Sequence, residues 1–355
     1  MRKRLCAAAV IAAASLLLRA AARRVEGFAD SYAAYMTAFR ANTQGRISGI
    51  FPFSLAEMMI YLALAGVFIF LICGIRKMKK GEKVKSFLLG GCTWLVLIAS
   101  LILFFYEAGE DVYFYATPFS VRNGFGNGAY TTEELEAVCE SLASACVERA
   151  DTVSRNAEGV MIADAELEDR VRIRMAELGE GYRELSGYYP KPKGAALSVF
   201  LSYMDFSGIY ASYTDEANYN RDMTDYNKPF TMCHELSHVK GILQENEANF
   251  TAFLACIDAE DADIAYSGAL MGWIYCGNEL YKRDYDRWLR LASTLPDSVN
   301  ADLNANSAFW KQYEGITGDT VQNLNDSYLK SHGQEGGVET YDRVVDLIVS
   351  WYLQK

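Results

Sequence analysis

Hydrophobic and polar positions divide this chain into two regimes. Phe87 to Tyr106 contains no charged residue, and Leu55 to Ile75 is interrupted only by Glu57. Each run is long enough to cross a hydrocarbon core of about 30 Å as a helix. A shorter apolar run, Leu5 to Leu18, follows the basic start Met1-Arg2-Lys3-Arg4 and leads into Ala20 to Ala22. It fits either a signal peptide or a short first transmembrane helix. The stretch from Arg19 to Ser54 is mixed, with Gly45, Gly49 and Pro52 as punctuation, and reads as partly helical along a membrane surface.

Beyond residue 106 the pattern is that of a folded domain. Val121 to Ala129 is rich in Gly and Asn and reads as a linker. Thr131-Thr132-Glu133-Glu134 is a capping box, and Leu135, Val138, Cys139, Leu142 and Cys146 follow at helical spacing. A second helix is predicted from about Ala163 to Leu185, with Leu167, Val171, Met175 and Leu178 on its apolar face. After Pro190 to Gly194, the segment Ala196 to Met204 is β-prone and Asp205 to Gly208 reads as a turn. Ile209 to Thr214 and Glu216 to Asn220 are further strand candidates. An extended peptide can add to the edge of such a sheet through backbone hydrogen bonds. A helix is predicted from Pro229 to Gly241 and another from Gln244 through Ala255. Asp258 to Tyr281, Asp319 to Tyr328 and Val338 to Leu353 are also helical in pattern, the last two joined by the Gly-rich turn Ser331 to Gly337. There are no internal repeats.

These readings give an α+β, mainly helical fold. Residues 1–106 form a membrane region with two or three transmembrane helices (about 5–22, 55–75 and 87–106), 107–130 a linker, and 131–355 a domain with a small β-sheet.

Charge follows the same division. Residues 1–106 hold fourteen Lys/Arg against four Asp/Glu, while the remainder holds twenty against forty-one. So acidic a domain does not bind nucleic acid through phosphate neutralisation. Arg76, Lys77, Lys79, Lys80, Lys83 and Lys85 flank the junction of the two long apolar runs, opposed only by Glu82. The positive-inside rule places that loop in the cytoplasm, which makes this a multi-pass cell-membrane protein with its acidic domain outside. Arg19, Arg23 and Arg24 would then lie outside, against the rule, but the basic loop is the stronger signal. The eight cysteines do not form a disulfide framework: Cys139 and Cys146 are about 10 Å apart by helical rise, and Cys233, Cys256 and Cys276 read as small buried residues.

The candidate chemistry lies in His234-Glu235-Leu236-Ser237-His238. On a helix, His234 and His238 share a face and can converge on one ion. Glu235 lies about 100° around the helix, where its carboxylate can hold a water molecule without binding the metal. Two neutral histidines, an open coordination position and an adjacent base are the parts of a zinc hydrolase. A pentapeptide of this kind also occurs by chance, but two of the chain's three histidines fall within it. A third protein ligand is required, and Glu245 and Glu247 compete for the place. Glu245 shares a face with Asn249, with small Ala248 beside them allowing close approach, whereas Glu247 lies about 200° away. Glu245 is therefore the preferred ligand, and Asn249 the group that orients a ligand histidine. Gln244 is a poor zinc ligand, and Cys233 points about 100° off the His234 face.

This segment resembles the gluzincin metallopeptidases, in which the first Glu of a Glu-x-x-x-Asp/Asn helix is the third ligand. The short connection through Gly241 is more like the metzincins, although Gln244 stands where those carry a third histidine. The fuller similarity is to the bacterial membrane family DUF3810, uncharacterised zinc-peptidase-like proteins. It is carried by Phe51-Pro52-Phe53-Ser54, Ser207-Gly208-Ile209-Tyr210, Glu216-Ala217-Asn218-Tyr219-Asn220, Pro229 to Phe253, Ser327-Tyr328-Leu329-Lys330 and Thr340-Tyr341-Asp342-Arg343-Val344-Val345. The resemblance implies a zincin-like domain and a zinc site, and no substrate.

The expectation is thus a membrane-anchored zinc metallopeptidase acting on a peptide or protein. Zinc on His234, His238 and Glu245 lowers the pKa of a water molecule toward about 7, and Glu235 is the general base. His332, Tyr341, Tyr328 and Tyr210 are candidate oxyanion donors. The rival expectation is a non-catalytic membrane sensor or scaffold whose zinc staples two helices. A closed structural site has no use for Glu235, which weighs against it. A transporter fits poorly, since only Glu57 is charged within the two long runs.

Overall fold

The computed structural model describes residues 1–80, 84–126, 128–315, 320, 327 and 343–355. In chain order its α-helices are α1 (Arg2–Arg24), α2 (Phe28–Arg40), α3 (Arg46–Ser48), α4 (Leu55–Lys79), α5 (Val84–Gly109), α6 (Phe119–Arg122), α7 (Thr132–Ala150) and α8 (Leu167–Gly181). There follow α9 (Ser198–Tyr203), α10 (Asn227–Val239), α11 (Glu245–Ile257), α12 (Ala262–Arg283), α13 (Tyr285–Ala292), α14 (Asp297–Lys311) and α15 (Val344–Gln354). Strands β1 (Lys193–Gly194), β2 (Gly208–Ala211) and β3 (Glu216–Tyr219) form one small sheet. The fold is mainly helical, as the pattern predicts.

Three helices, α1, α4 and α5, are long and apolar enough to cross a membrane. The first apolar run forms a helix from Arg2 to Arg24, longer than the predicted span because nothing breaks it before Gly27, which has φ 71°. α1 lies along α5, and Arg19 reaches Glu107 and Asp111 near the domain end of α5 at 3.5 and 3.7 Å. No residue of α4 is buried. α4 meets α5 near the basic loop, where Phe70 stacks on Phe87 at 4.6 Å.

The other end of α4 is fastened to the sheet. The Glu216 carboxylate accepts from the free backbone N–H groups of Leu55 (3.0 Å) and Ala56 (2.9 Å). Buried Lys193 pairs with the same carboxylate and donates to the carbonyls of Ser48 and Phe53. Glu57, the one charge in this apolar run, accepts in turn from Ala196 N and Leu197 N at 2.9 and 2.8 Å.

That contact explains one correction. Ala196 to Met204, read as a strand, contains α9: Glu57, 139 and 140 residues upstream, takes the N–H groups of Ala196 and Leu197, the two residues that lead into the helix, which a local pattern cannot show. A second correction concerns 107–130, read as a linker. It holds a 3-10 turn (Asp111–Tyr115) and α6, and buries Val112, Tyr113, Phe114, Phe119 and Phe125. Phe119 and Phe125 are aromatic anchors that pack on Tyr182 and Phe250. The helix predicted over Ala163 to Leu185 is shorter, ending at Gly181 before a 3-10 turn at Arg183–Leu185. The capping box forms as read: Thr131 N donates to Glu134 Oε2 and Glu134 N to Thr131 Oγ1. The Gly-rich turn 331–337 and most of the helix predicted over 319–328 lie outside the described residues.

The strand order is β1-β3-β2. β1 runs parallel to β3, and β2 antiparallel to it with Gly208 opposite Tyr219 and Ala211 opposite Glu216. β3 is buried throughout, while β2 is half exposed at the edge of the sheet. α10 lies against both strands, and α11 and α12 pack behind it, with Phe250, Phe253 and Tyr266 fully buried in the main core.

Candidate metal centre

Helix α10 is set by its ends. Phe230 N, an unpaired donor of the first turn, donates to Ser267 Oγ of α12 at 3.2 Å. At the other end Gly241 takes φ 78°, Gly241 N donates to His238 O and Ile242 N to Ser237 O. This is a Schellman turn, and it requires glycine both for the positive φ and because a Cβ would stand 2.6 Å from the Tyr113 ring. The turn carries the Ile242 carbonyl back over the helix end, where it accepts from His238 Nδ1 at 2.7 Å.

His234 Nδ1 lies 2.8 Å from Asn249 Oδ1 on α11. Both imidazoles therefore have an acceptor on Nδ1, and both turn Nε2 toward the same space. Their ring centroids are 4.6 Å apart and nearly perpendicular. Glu245, in the first turn of α11, brings Oε2 to 3.2 Å from His234 Nε2. Among the described residues, one ligand atom each from His234, His238 and Glu245 lie within 4.8 Å of one another. Two imidazole nitrogens and a carboxylate oxygen are donors that could together hold a metal ion such as zinc.

Glu247 is excluded from this cluster by its own partners. It is buried, accepts from Ser120 N and Ser120 Oγ at 2.8 and 2.7 Å, and so anchors α6. Cys233 points into the core, 3.7 Å from Cys256 Sγ.

Glu235 is 4 % exposed, and its Oε2 has no hydrogen-bond partner among the described residues. A buried carboxylate oxygen left in that state is costly unless a reactant uses it. Gly208 of β2 makes the room, since a Cβ there would collide with the Glu235 carboxylate. Burial pushes the Glu235 carboxyl up to about 8. Burial also works against a charged His234, but the Glu245 carboxylate outweighs it and holds that ring at about 9. Burial and the neighbouring His234 charge push His238 down to about 4.

Tyr210 stands beside His238, ring centroids 5.9 Å apart. Its hydroxyl accepts from Arg40 Nη2 at 2.6 Å and donates to Asp215 Oδ1 at 2.9 Å. With its proton given to Asp215, Tyr210 braces β2 and His238; it is not a free donor for an oxyanion. His332, Tyr328 and Tyr341 lie outside the described residues. Arg40 was not evident as part of this region. It donates also to the carbonyls of Gly109 and Ser212, tying α2, α5 and the end of β2 together. Gly208 was legible only as part of a quoted motif, and nothing in the local pattern marks its partner as Glu235.

The centre faces a cavity of about 1100 Å³. Its walls include His234, Glu235, His238 and Glu245, the edge strand β2, and side chains of α4 and α5.

The chain belongs to the DUF3810 family, described as a protein of unknown function, whose family model matches residues 32–349. Neither the curated proteins nor the solved structures contain a match.

Proposed function

We propose that this chain is a membrane-anchored zinc metallopeptidase with a zincin-like domain. The observation that carries the reading is the combination of two histidines held at Nδ1, with the ligand atoms of His234, His238 and Glu245 close together, and beside them Glu235, which lines a large cavity and keeps one buried oxygen unpaired among the described residues. His234, His238 and Glu245 would hold the metal. A zinc ion bound there supplies a Lewis acid that acidifies water and polarises a carbonyl.

The protein's own groups do the rest. Asn249 and the Ile242 carbonyl fix the tautomer and direction of the two imidazoles. Glu235 removes the proton of the attacking water and delivers it to the leaving amide nitrogen. β2, at the edge of the sheet and beside Glu235, offers backbone groups on which an extended peptide can align. The basic loop between α4 and α5 supports a cytoplasmic placement for itself, and hence an extracytoplasmic domain.

The test compares the extracytoplasmic peptides released by cells carrying wild type or Glu235→Gln. Peptides present only with the wild type support hydrolysis; identical sets argue for a scaffold.

A further inference from the structure

The cavity does not end at the domain. Its walls continue from the histidines to Met59, Ile60 and Ala63 on α4 and to Ile102 on α5. Ala63 lies eight residues past Leu55, where the apolar run of α4 begins, which is about 12 Å along the helix. Ile102 lies four residues before Tyr106, where the charge-free run of α5 ends, about 6 Å along its axis. Both positions therefore fall below the level at which a hydrocarbon core begins. The space in front of the metal ligands is thus walled in part by the apolar runs of α4 and α5.

The helices are arranged to leave this side open. The ring contacts between α4 and α5 lie toward the basic loop, where Phe70 stacks on Phe87 and covers Gly91. At the far end each helix is fastened separately: α4 by Glu216 and Glu57, α5 by Arg40 at the Gly109 carbonyl. Around the mouth, Phe200 of α9 is 58 % exposed and Ile209 of β2 is 45 % exposed. Glu57 holds the start of α9 against the first turn of α4, which brings the exposed Phe200 close to the beginning of that helix's apolar run.

Resting on the metallopeptidase reading, we propose that the substrates are membrane-tethered polypeptides, whose segment next to their own span enters sideways between α4 and α5. A water-borne peptide gains nothing from an apolar wall that descends below the membrane surface. A tethered segment does, because its span stays in lipid while the adjoining residues extend along β2 toward Glu235.

The test uses the full chain carrying Glu235→Gln in zinc-loaded liposomes, with the photoreactive residue benzoylphenylalanine at Ala63. A second preparation carries it at Ala65, about 200° around α4 and facing away from the cavity. One probe is a pool of synthetic peptides, each with one Leu/Ala span and a randomised polar extension; the other is the same extension without the span. The expected result is labelling of the spanning pool from position 63 at least about tenfold above both the span-free pool and position 65, given the concentrating effect of a shared bilayer. Equal labelling from 63 and 65 means random collision in lipid and overturns the proposal. Labelling of the span-free pool from 63, or no labelling, also overturns it. Hydrolysis of either pool by wild type, absent in Glu235→Gln, reports on the peptidase reading separately, because labelling does not require turnover.

Discussion

His234 and Glu235 carry the sharpest expectations at the scale of single residues, because both are displaced from their ordinary protonation in a predictable sense. Below about pH 9 His234 holds a proton against Glu245, while His238, at about 4, is already neutral at pH 7. A metal must displace that one proton. Zinc affinity should therefore rise roughly tenfold per pH unit up to about pH 9, with about one proton released near pH 7. Titration calorimetry in buffers of different ionisation enthalpy measures both; an affinity that is flat from about pH 6 to about pH 8 contradicts the assignment. Glu235 has the opposite sign from a salt-bridged carboxylate. Its folded pKa is raised from 4.5 to about 8, so the folded state holds the proton more tightly. Its contribution to stability is complete below about pH 4.5 and is lost as the pH rises to about 8. In zinc-free protein the melting temperature of wild type should fall relative to Glu235→Gln across that window. A constant difference would show that Glu235 does not titrate there.

At the scale of elements, what the sequence reveals and what it hides divide by distance along the chain. His234, His238, Glu245 and Asn249 fall within 16 residues, and helix geometry alone brings the first two together and selects Glu245 over Glu247. The Gly241 turn was legible for the same reason. By contrast, α9 depends on Glu57 139 residues away, and Tyr210 depends on Arg40 170 residues away. No local periodicity encodes such partners. The buried aromatics Tyr113, Phe114 and Phe119 precede the Gly/Asn-rich stretch, and the partners of Phe119, Tyr182 and Phe250, lie far along the chain, so a packed element resembled a linker. The Gly208–Glu235 contact across β2 and α10 gives a direct test of how the elements position the base. Gly208→Ala should leave zinc content unchanged and lower turnover by about tenfold to a hundredfold, since its Cβ displaces the Glu235 carboxylate. Loss of zinc together with activity would mean that the strand supports the ligands and not the base.

On the scale of the whole molecule, the apolar helices and the acidic domain are joined by buried polar contacts. The Glu216–Lys193 pair is buried at their junction and holds the start of α4 by its free N–H groups. Removing one member leaves a buried charge without its counterpart, at a cost of about 3–5 kcal/mol. Glu216→Ala should therefore expose the Ser54–Leu55 junction to protease in liposomes while zinc remains bound. Unchanged protection would show that α4 is held mainly by lipid. Sequence composition made the two halves plain, through apolar runs in one and acidic surface in the other. It did not show that they share a cavity, because the lining residues of α4 and α5 look like any lipid-facing side chains.

We propose one zinc ion on His234, His238 and Glu245, serving a hydrolysis in which Glu235 moves the proton. The most direct measurement is zinc content and peptide turnover on the same liposome samples of wild type, Glu235→Gln and Glu245→Ala. The expected result is one zinc per chain in wild type and in Glu235→Gln, turnover lower in the latter by about 10²–10⁴-fold, and loss of zinc in Glu245→Ala. Full zinc in Glu245→Ala, or undiminished turnover in Glu235→Gln, would contradict it.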